Sequence, residues 1–421
     1  MVSKKMTFGL LVVLLAVFFS CSQQMTEDRI LQTAKKIHEE AITLDTHVDI
    51  STNYATPEVD PGIDNPRLRC DLVKMERGGM DGVFLAVYVG QRQNLDAEGY
   101  KWAHDVAMEK FEAIHRLTQE MYPDRCEFAT SPDDVERIVK TGKRAIMTGI
   151  ENGYPVGEDL SLIKKYYDLG TRYITLSHSR HNQICDSSSP REPLHNGISE
   201  FGKKVVAEMN RLGIMCDVSH ISEKSFWDLI EITKAPIIAS HSGCYALNPV
   251  DRNLTDDQLK ALTKNGGVIQ IVALGGFLKA ETPEHREAVR ALREELAFPS
   301  RREMRRMTQE EREALRPKFE EYRKRVEEIE ETIPGTNIQD YVNHIDHAMK
   351  VAGIDHVGIG TDFDGGAGIP GFNNHGEALN VTIELVRRGY SAKEIKKIWG
   401  GNLLRVWRDV EKVASELQSE G

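Results

Sequence analysis

Residues 43–50 read TLDTHVDI, an apolar run that stops at His47 and Asp49, and four later stretches repeat the pattern: RAIMTGIEN (144–152), GIMCDVSH (213–220), APIIASH (235–241) and HVGIGTDFD (356–364). Each is a strand-length apolar segment ending in a side chain able to bind a metal, namely His47, Asp49, Glu151, His220, His241 and Asp362. Parallel strands closed into a barrel bring their carboxyl ends to one face, where residues distant in sequence meet. The repetition therefore predicts a (β/α)8 TIM barrel with a metal pocket on that face. Side chains two apart on a strand point the same way, so His47 and Asp49 can grip one ion together. Imidazole nitrogen and carboxylate oxygen suit zinc, the two oxygens of Glu151 can span two ions, and His220 with His241 complete the ligands of the second ion. Two Zn2+ per chain are expected, although manganese or cobalt would accept the same donors.

Working outward, apolar strand followed by amphipathic helix recurs along the chain. The expected strands are Ile42–Ile50, Gly82–Val89, Arg144–Ile150, Tyr173–His178, Met215–His220, Pro236–His241, Val268–Ala273 and His356–Asp362, after a first helix over Glu27–Ala41. Thr255 with Gln258, and Ser391 with Glu394, have the spacing of capping boxes at helix starts. A stretch from Glu281 to Thr332, rich in Glu and Arg, breaks the rhythm and reads as one or two charged helices inserted between the seventh and eighth of these strands. A solvated hairpin on the barrel rim, a partner contact or a lid would each fit it.

The chain has 421 residues, 40% of them hydrophobic, and a formal net charge of −11. A barrel with insertions reaches that length as one domain, so residues 22–421 are expected to form a single unit. The acidic balance argues against a nucleic-acid partner. Lys4 and Lys5 precede an apolar stretch from Phe8 to Phe19, too short for a confident membrane span, which reads as a signal peptide over residues 1–21. Ser20-Cys21 then resembles a bacterial lipoprotein processing site with Cys21 as the lipidated residue, although Phe18 stands where Leu is usual; an ordinary cleaved signal is the alternative. Either reading places the protein outside the cytoplasm, and the first anchors it to the cell envelope. The remaining cysteines, Cys70, Cys126, Cys185, Cys216 and Cys244, are odd in number and lack CxxC spacing, so no bridge is assigned.

These motifs together resemble the membrane dipeptidase family, also called renal dipeptidases, within the metal-dependent amidohydrolase barrels. The resemblance rests on DTHVDI, IEN, RYITLSHSRHN, EFGKKVVAEMNRLGIMCDVSHIS, APIIASHSGCYALNPVDRNLTDDQL, DHVGIGTDFDGG and GGNLLRVW, and covers nearly the whole mature chain. It implies that His47 and Asp49 bind one zinc, that His220 and His241 bind the other, and that Glu151 bridges them. It further implies that Asp362 is the catalytic aspartate, that His178 contacts the scissile carbonyl, and that Arg252 faces the substrate's carboxylate. A tyrosine that contacts substrate in some relatives aligns with Phe277, which removes a hydroxyl.

Two bridged zinc ions can share a water and lower its pKa, making hydroxide available near neutral pH. Asp362 can then take that water's proton and return it to the leaving amine, while His178 stabilises the developing oxyanion. The planar fork of Arg252 favours a substrate with a free carboxylate near the scissile bond. The expectation is an exported binuclear zinc dipeptidase acting on dipeptides, including those with a C-terminal D-residue. The alternatives are an amidohydrolase acting on N-acyl amino acids or other small amides, and a binding lipoprotein on a retired barrel. A homodimer is left open. Asp362 could instead be a ligand, His178 could pack beneath the site, and Arg252 could hold an internal carboxylate. Asp364 is expected to fix a loop, and His181 to lie at the surface. The glycines of GIGTDFDGGAG fail the dinucleotide-loop spacing.

Overall fold

In the segment GVFLAVY (82–88), Val83, Leu85 and Val87 face one way, Phe84 and Ala86 the other, and all five are buried. A strand apolar on both faces needs cover on both, which a barrel provides with side chains inside and helices outside. The computed structural model describes residues 26–300, 303, 314–330, 332–333 and 335–420. Its strands are β1 (Leu44–Asp49), β2 (Gly82–Tyr88), β3 (Cys126–Phe128), β4 (Arg144–Glu151), β5 (Thr171–Thr175), β6 (Met215–Asp217), β7 (Ile238–Ser242), β8 (Val268–Ile271) and β9 (Val357–Ile359). Eight of them run in the parallel order β1-β2-β4-β5-β6-β7-β8-β9. Residues just past β9 close the ring on β1: the Asp362 amide donates to the His47 carbonyl and the Asp49 amide to the Phe363 carbonyl, both at 2.9 Å. This is the expected TIM barrel. The predicted signal segment and Cys21 lie outside the described residues.

One strand escaped prediction. β3 pairs with the first half of β4, from Cys126 opposite Arg144 to Phe128 opposite Ile146, and β5 takes over the same edge from Thr148. Three residues are too few to show a period.

The amino-terminal end of the barrel is filled by Leu44, Phe84, Met147, Tyr173, Met215, Ile238 and Val268, packed on Val406, Trp407 and Val410 of the last helix, Asn402–Glu420. Each such side chain contributes about 1.5–3 kcal/mol by leaving water. The carboxyl-terminal face is thereby free to be polar. Leu44 belongs to that inner layer, yet His47, three residues on, also faces inward, against Tyr173. A strict two-residue period forbids this. The pairing of β1 with β2 slips between Asp45 and Val48, and this irregularity turns His47 and Asp49 into the barrel.

Both expected capping boxes are present, at Thr255 with Gln258 and at Ser391 with Glu394. The charged insertion lies between β8 and β9 as helices Pro283–Glu295 and Arg316–Glu330. Arg325 forks onto Glu295 at 2.6 and 2.9 Å, and Phe298 packs its ring 4.6 Å from Phe319 and 5.0 Å from Tyr322. Part of the predicted insertion, including residues 304–313, falls outside the described set. Cys70, Cys126, Cys185, Cys216 and Cys244 are buried free thiols. Among the described residues no helix is long and apolar enough to cross a membrane.

Candidate metal centre

Glu151 ends β4 and is 2% exposed at the carboxyl-terminal mouth of the barrel. Four imidazoles converge on it. His220 Nε2 lies 3.0 Å from Glu151 Oε1, His178 and His241 Nε2 lie 3.5 Å from the same oxygen, and His47 Nε2 lies 3.4 Å from Oε2. The donor atoms form two tight groups that share the carboxylate: His47, Glu151 and His241, and Glu151, His178 and His220. Sequence reading had paired His220 with His241, whose Nε2 atoms stand 2.9 Å apart. The sequence makes His178 an oxyanion-stabilising, substrate-facing residue or a packing residue beneath the site, not a ligand, but His178 reaches Glu151 as closely as His241 does. The carboxylates of Asp49 and Asp362 come together at Gly365, where a methyl group would fall 2.5 Å from Asp49 Oδ2 and 2.2 Å from Asp362 Oδ1.

Buried hydrogen bonds aim these ligands. Ser240 Oγ donates to Asp217 Oδ2 at 2.6 Å, so its lone pair accepts the Nδ1 proton of His241 at 2.8 Å. His241 is thus held in the tautomer whose Nε2 carries a free lone pair, as a metal ligand requires. His47 Nδ1 bonds the Tyr173 hydroxyl at 2.9 Å, and Gly149 makes room for that ring, since a Cβ there would lie 2.4 Å from it. Asp45 accepts from the Thr361 amide and hydroxyl at 2.8 and 2.5 Å and from His375 at 2.7 Å, tying the end of β1 to the loop that carries Asp362. His220, Asp362 and Asp364 hold left-handed backbone conformations, with φ of 70°, 62° and 63°. Such angles cost roughly 1–3 kcal/mol each and persist where the surroundings fix them.

The electrostatics call for cations. Burial lowers the His47 imidazole, but Glu151, Asp49 and Asp362 outweigh it and raise its pKa to about 10. Burial, reinforced by Glu151, raises Asp49 to about 7, and burial with Asp49 and Glu151 raises Asp362 well above the carboxylate range. Burial would also raise Glu151, yet the surrounding histidines hold it well below its usual value. His220 and His241 are pushed well below theirs by burial and neighbouring cations, and are neutral donors. Three crowded carboxylates and neutral imidazoles, with buried His47 Nε2 and Asp49 Oδ1 lacking hydrogen-bond partners, fit divalent metal ions.

Arg252 donates to the His241 carbonyl at 3.2 Å and lies over the ring of Phe277, its guanidinium carbon 5.2 Å from the centroid. Phe277 therefore retains the packing of an aromatic residue but offers no hydroxyl. Asp364 accepts the amides of Arg69 at 2.8 Å and Cys70 at 3.2 Å, the loop-fixing role expected. His181 departs from expectation: it is half-buried, donating to the Glu192 carbonyl at 2.7 Å and accepting the Ser187 amide at 3.0 Å, so it holds a loop together. Sequence reading missed Asp45, Tyr173, Asp217, Ser240 and His375. Asp45 and Asp217 did carry a signal, because a carboxylate inside an apolar strand is costly unless bonded.

The sequence profile of the membrane dipeptidase family, peptidase family M19, matches residues 31–421. The chain belongs to that family. It is 31% identical over 350 residues to dipeptidase tcpJ of Claviceps purpurea, covering 82% of this chain and 70% of the relative. A crystal structure of the probable dipeptidase PvdM from Pseudomonas aeruginosa superposes with a TM-score of 0.78 at 31% identity, covering 92% of this chain and all, 100%, of that one. A metallopeptidase from Rhodobacter sphaeroides, at 23% identity and TM-score 0.67 over 88% of this chain and 99% of its own, shares the barrel. In this M19 metallopeptidase barrel a cavity of about 330 Å³ adjoins the centre, lined by His220, Arg252, Ser188, Glu223 and Tyr245 among others.

Proposed function

We propose that this M19 protein is an exported binuclear zinc dipeptidase. The observation that carries the reading is the Glu151 carboxylate with four imidazole nitrogens at 3.0–3.5 Å, beside the carboxylates of Asp49 and Asp362. His47, Asp49, Glu151, His220 and His241 would hold the ions, with His178 within ligand reach. Divalent ions bound there supply Lewis acidity toward a water molecule and the scissile carbonyl.

The chain's own side chains do the rest. Arg252 pairs with the substrate's C-terminal carboxylate and sets the distance from that charge to the scissile bond. Asp362, ionised when cations offset its neighbours, takes a proton from the attacking water and returns it to the departing amine as the C–N bond breaks. His178, where its Nε2 does not take a metal, would donate to the oxygen that gains charge. Packing of Phe277 on Arg252 fixes the fork and leaves the substrate one hydrogen bond fewer than a tyrosine would. Dipeptides with a C-terminal L- or D-residue define the substrate range, and Cys21 would anchor the enzyme to the envelope.

The test is substrate length and charge. Amidating a dipeptide's C-terminus removes the charge that Arg252 reads, and extension to a tripeptide displaces it. Both should lower kcat/KM at least about tenfold, equivalent to roughly 1.4 kcal/mol of transition-state binding. Arg252→Met should erase most of the difference between acid and amide. Equal hydrolysis of acid and amide by the unaltered enzyme would favour a general amidohydrolase instead.

A further inference from the structure

A second, smaller cavity, of about 110 Å³, lies away from Glu151 at the root of the charged insertion, walled by Lys279, Glu281, His285, Glu330, Gly335 and Thr336. His285 is 6% exposed, and neither ring nitrogen has a hydrogen-bond partner. A buried imidazole with both nitrogens unsatisfied is uncommon and points to a ligand in the cavity it lines. Its Nε2 stands 3.6 Å from Glu330 Oε1. That is too long for a hydrogen bond, but two donors each roughly 2.1 Å from one tetrahedral ion stand about 3.4 Å apart. The space between them is kept open by a glycine: a methyl group on Gly335 would fall 2.7 Å from Glu330 Oε1 and 3.0 Å from His285 Nε2.

The donor set selects the ligand. Glu330 and Glu281 would repel an anion, and Lys279, the cation in the wall, is paired with Asp340 at 3.3 Å, so imidazole with carboxylates is left to take a divalent transition ion. We propose that His285 and Glu330, joined by Glu281 when the ion draws it in, form a peripheral zinc site. It is looser than the barrel-mouth groups, which are the only three-donor clusters within 4.8 Å among the described residues. The ion would clamp helix Arg316–Glu330 to the start of helix Pro283–Glu295, and so fasten the insertion to the rim. The rim there is continuous with the site, because Thr336 Oγ1 donates to the Gly275 carbonyl at 3.3 Å, two residues before Phe277. The inference does not depend on the proposed reaction.

The experiment compares the full chain with His285→Gln and with Gly335→Ala, which keeps both donors and fills the gap. Each protein is stripped with chelator, dialysed against zinc alone and analysed for metal per chain. The unaltered protein should hold one more zinc than either variant, whatever number the barrel mouth holds. Zinc should also slow amide hydrogen exchange in the helices Pro283–Glu295 and Arg316–Glu330 of the unaltered protein only. Equal zinc in all three proteins, or zinc-dependent protection that survives both substitutions, would overturn the proposal. Dipeptide hydrolysis retained by both variants would keep this outcome separate from the fate of the Glu151 centre.

Discussion

At the scale of single residues, Asp362 is the side chain on which the proposed chemistry turns. Its carboxylate meets that of Asp49 at Gly365, and its backbone is strained, with φ of 62°. Replacing it with Asn preserves shape and removes the capacity to carry a proton. Asp362→Asn should retain the metal content of the unaltered protein and lose about 10²–10⁴-fold in kcat. Loss of an ion on elemental analysis would make Asp362 a ligand instead. The residues that meet at Glu151 were legible in sequence because each ends an apolar run, and that pattern has one geometric meaning in a barrel. Ser240 and Tyr173 were not legible. A serine before a histidine, or a tyrosine within a strand, acquires its role only from contacts across the barrel, such as the 2.6 Å bond from Ser240 to Asp217.

At the scale of elements, the existence and order of the eight barrel strands were legible, but their ends were not. β6 stops at Asp217 and β9 at Ile359, so His220 and Asp362 lie in the loops beyond, in left-handed conformations that no periodicity encodes. The long-range ties between elements were equally hidden. His344, on helix Ile338–Ala352, accepts the Cys244 amide at 2.9 Å and donates to the Leu278 carbonyl at 2.8 Å, fastening the loops after β7 and β8. Burial, against the raising effect of the Leu278 carbonyl, lowers its pKa from 6.5 to about 4. The unfolded chain therefore takes up a proton before the folded chain does. The stability His344 contributes is fully present above pH 6.5 and is lost as pH falls to about 4. The urea midpoints of the chelated unaltered protein and of His344→Asn should therefore draw together as pH falls from 6.5 to about 4. Slope common to both proteins belongs to the other groups that burial shifts, His38, His220 and His241 downward and Asp49 and Asp362 upward. An unchanged slope in the variant would remove His344 from the account.

At the scale of the whole molecule, the barrel is closed at its lower end by the last helix and at its sides by helices that owe nothing to the charged insertion. That insertion was legible as an interruption, since its Glu- and Arg-rich composition cannot build a core. Its aromatic clasp of Phe298, Phe319 and Tyr322 is local. Joining residue 281 to residue 335 by a short turn should leave a folded barrel that keeps the ions held at Glu151. Global unfolding, read by circular dichroism and metal loss, would show that the insertion belongs to the domain.

The central claim, that two ions sharing Glu151 drive hydrolysis, is tested most directly by titrating stripped protein with zinc while following turnover of one dipeptide. Use of His285→Gln removes the peripheral site from the count. The account predicts that activity reaches its plateau at two zinc ions per chain. A plateau at one ion, or full activity in the chelated protein, would contradict it.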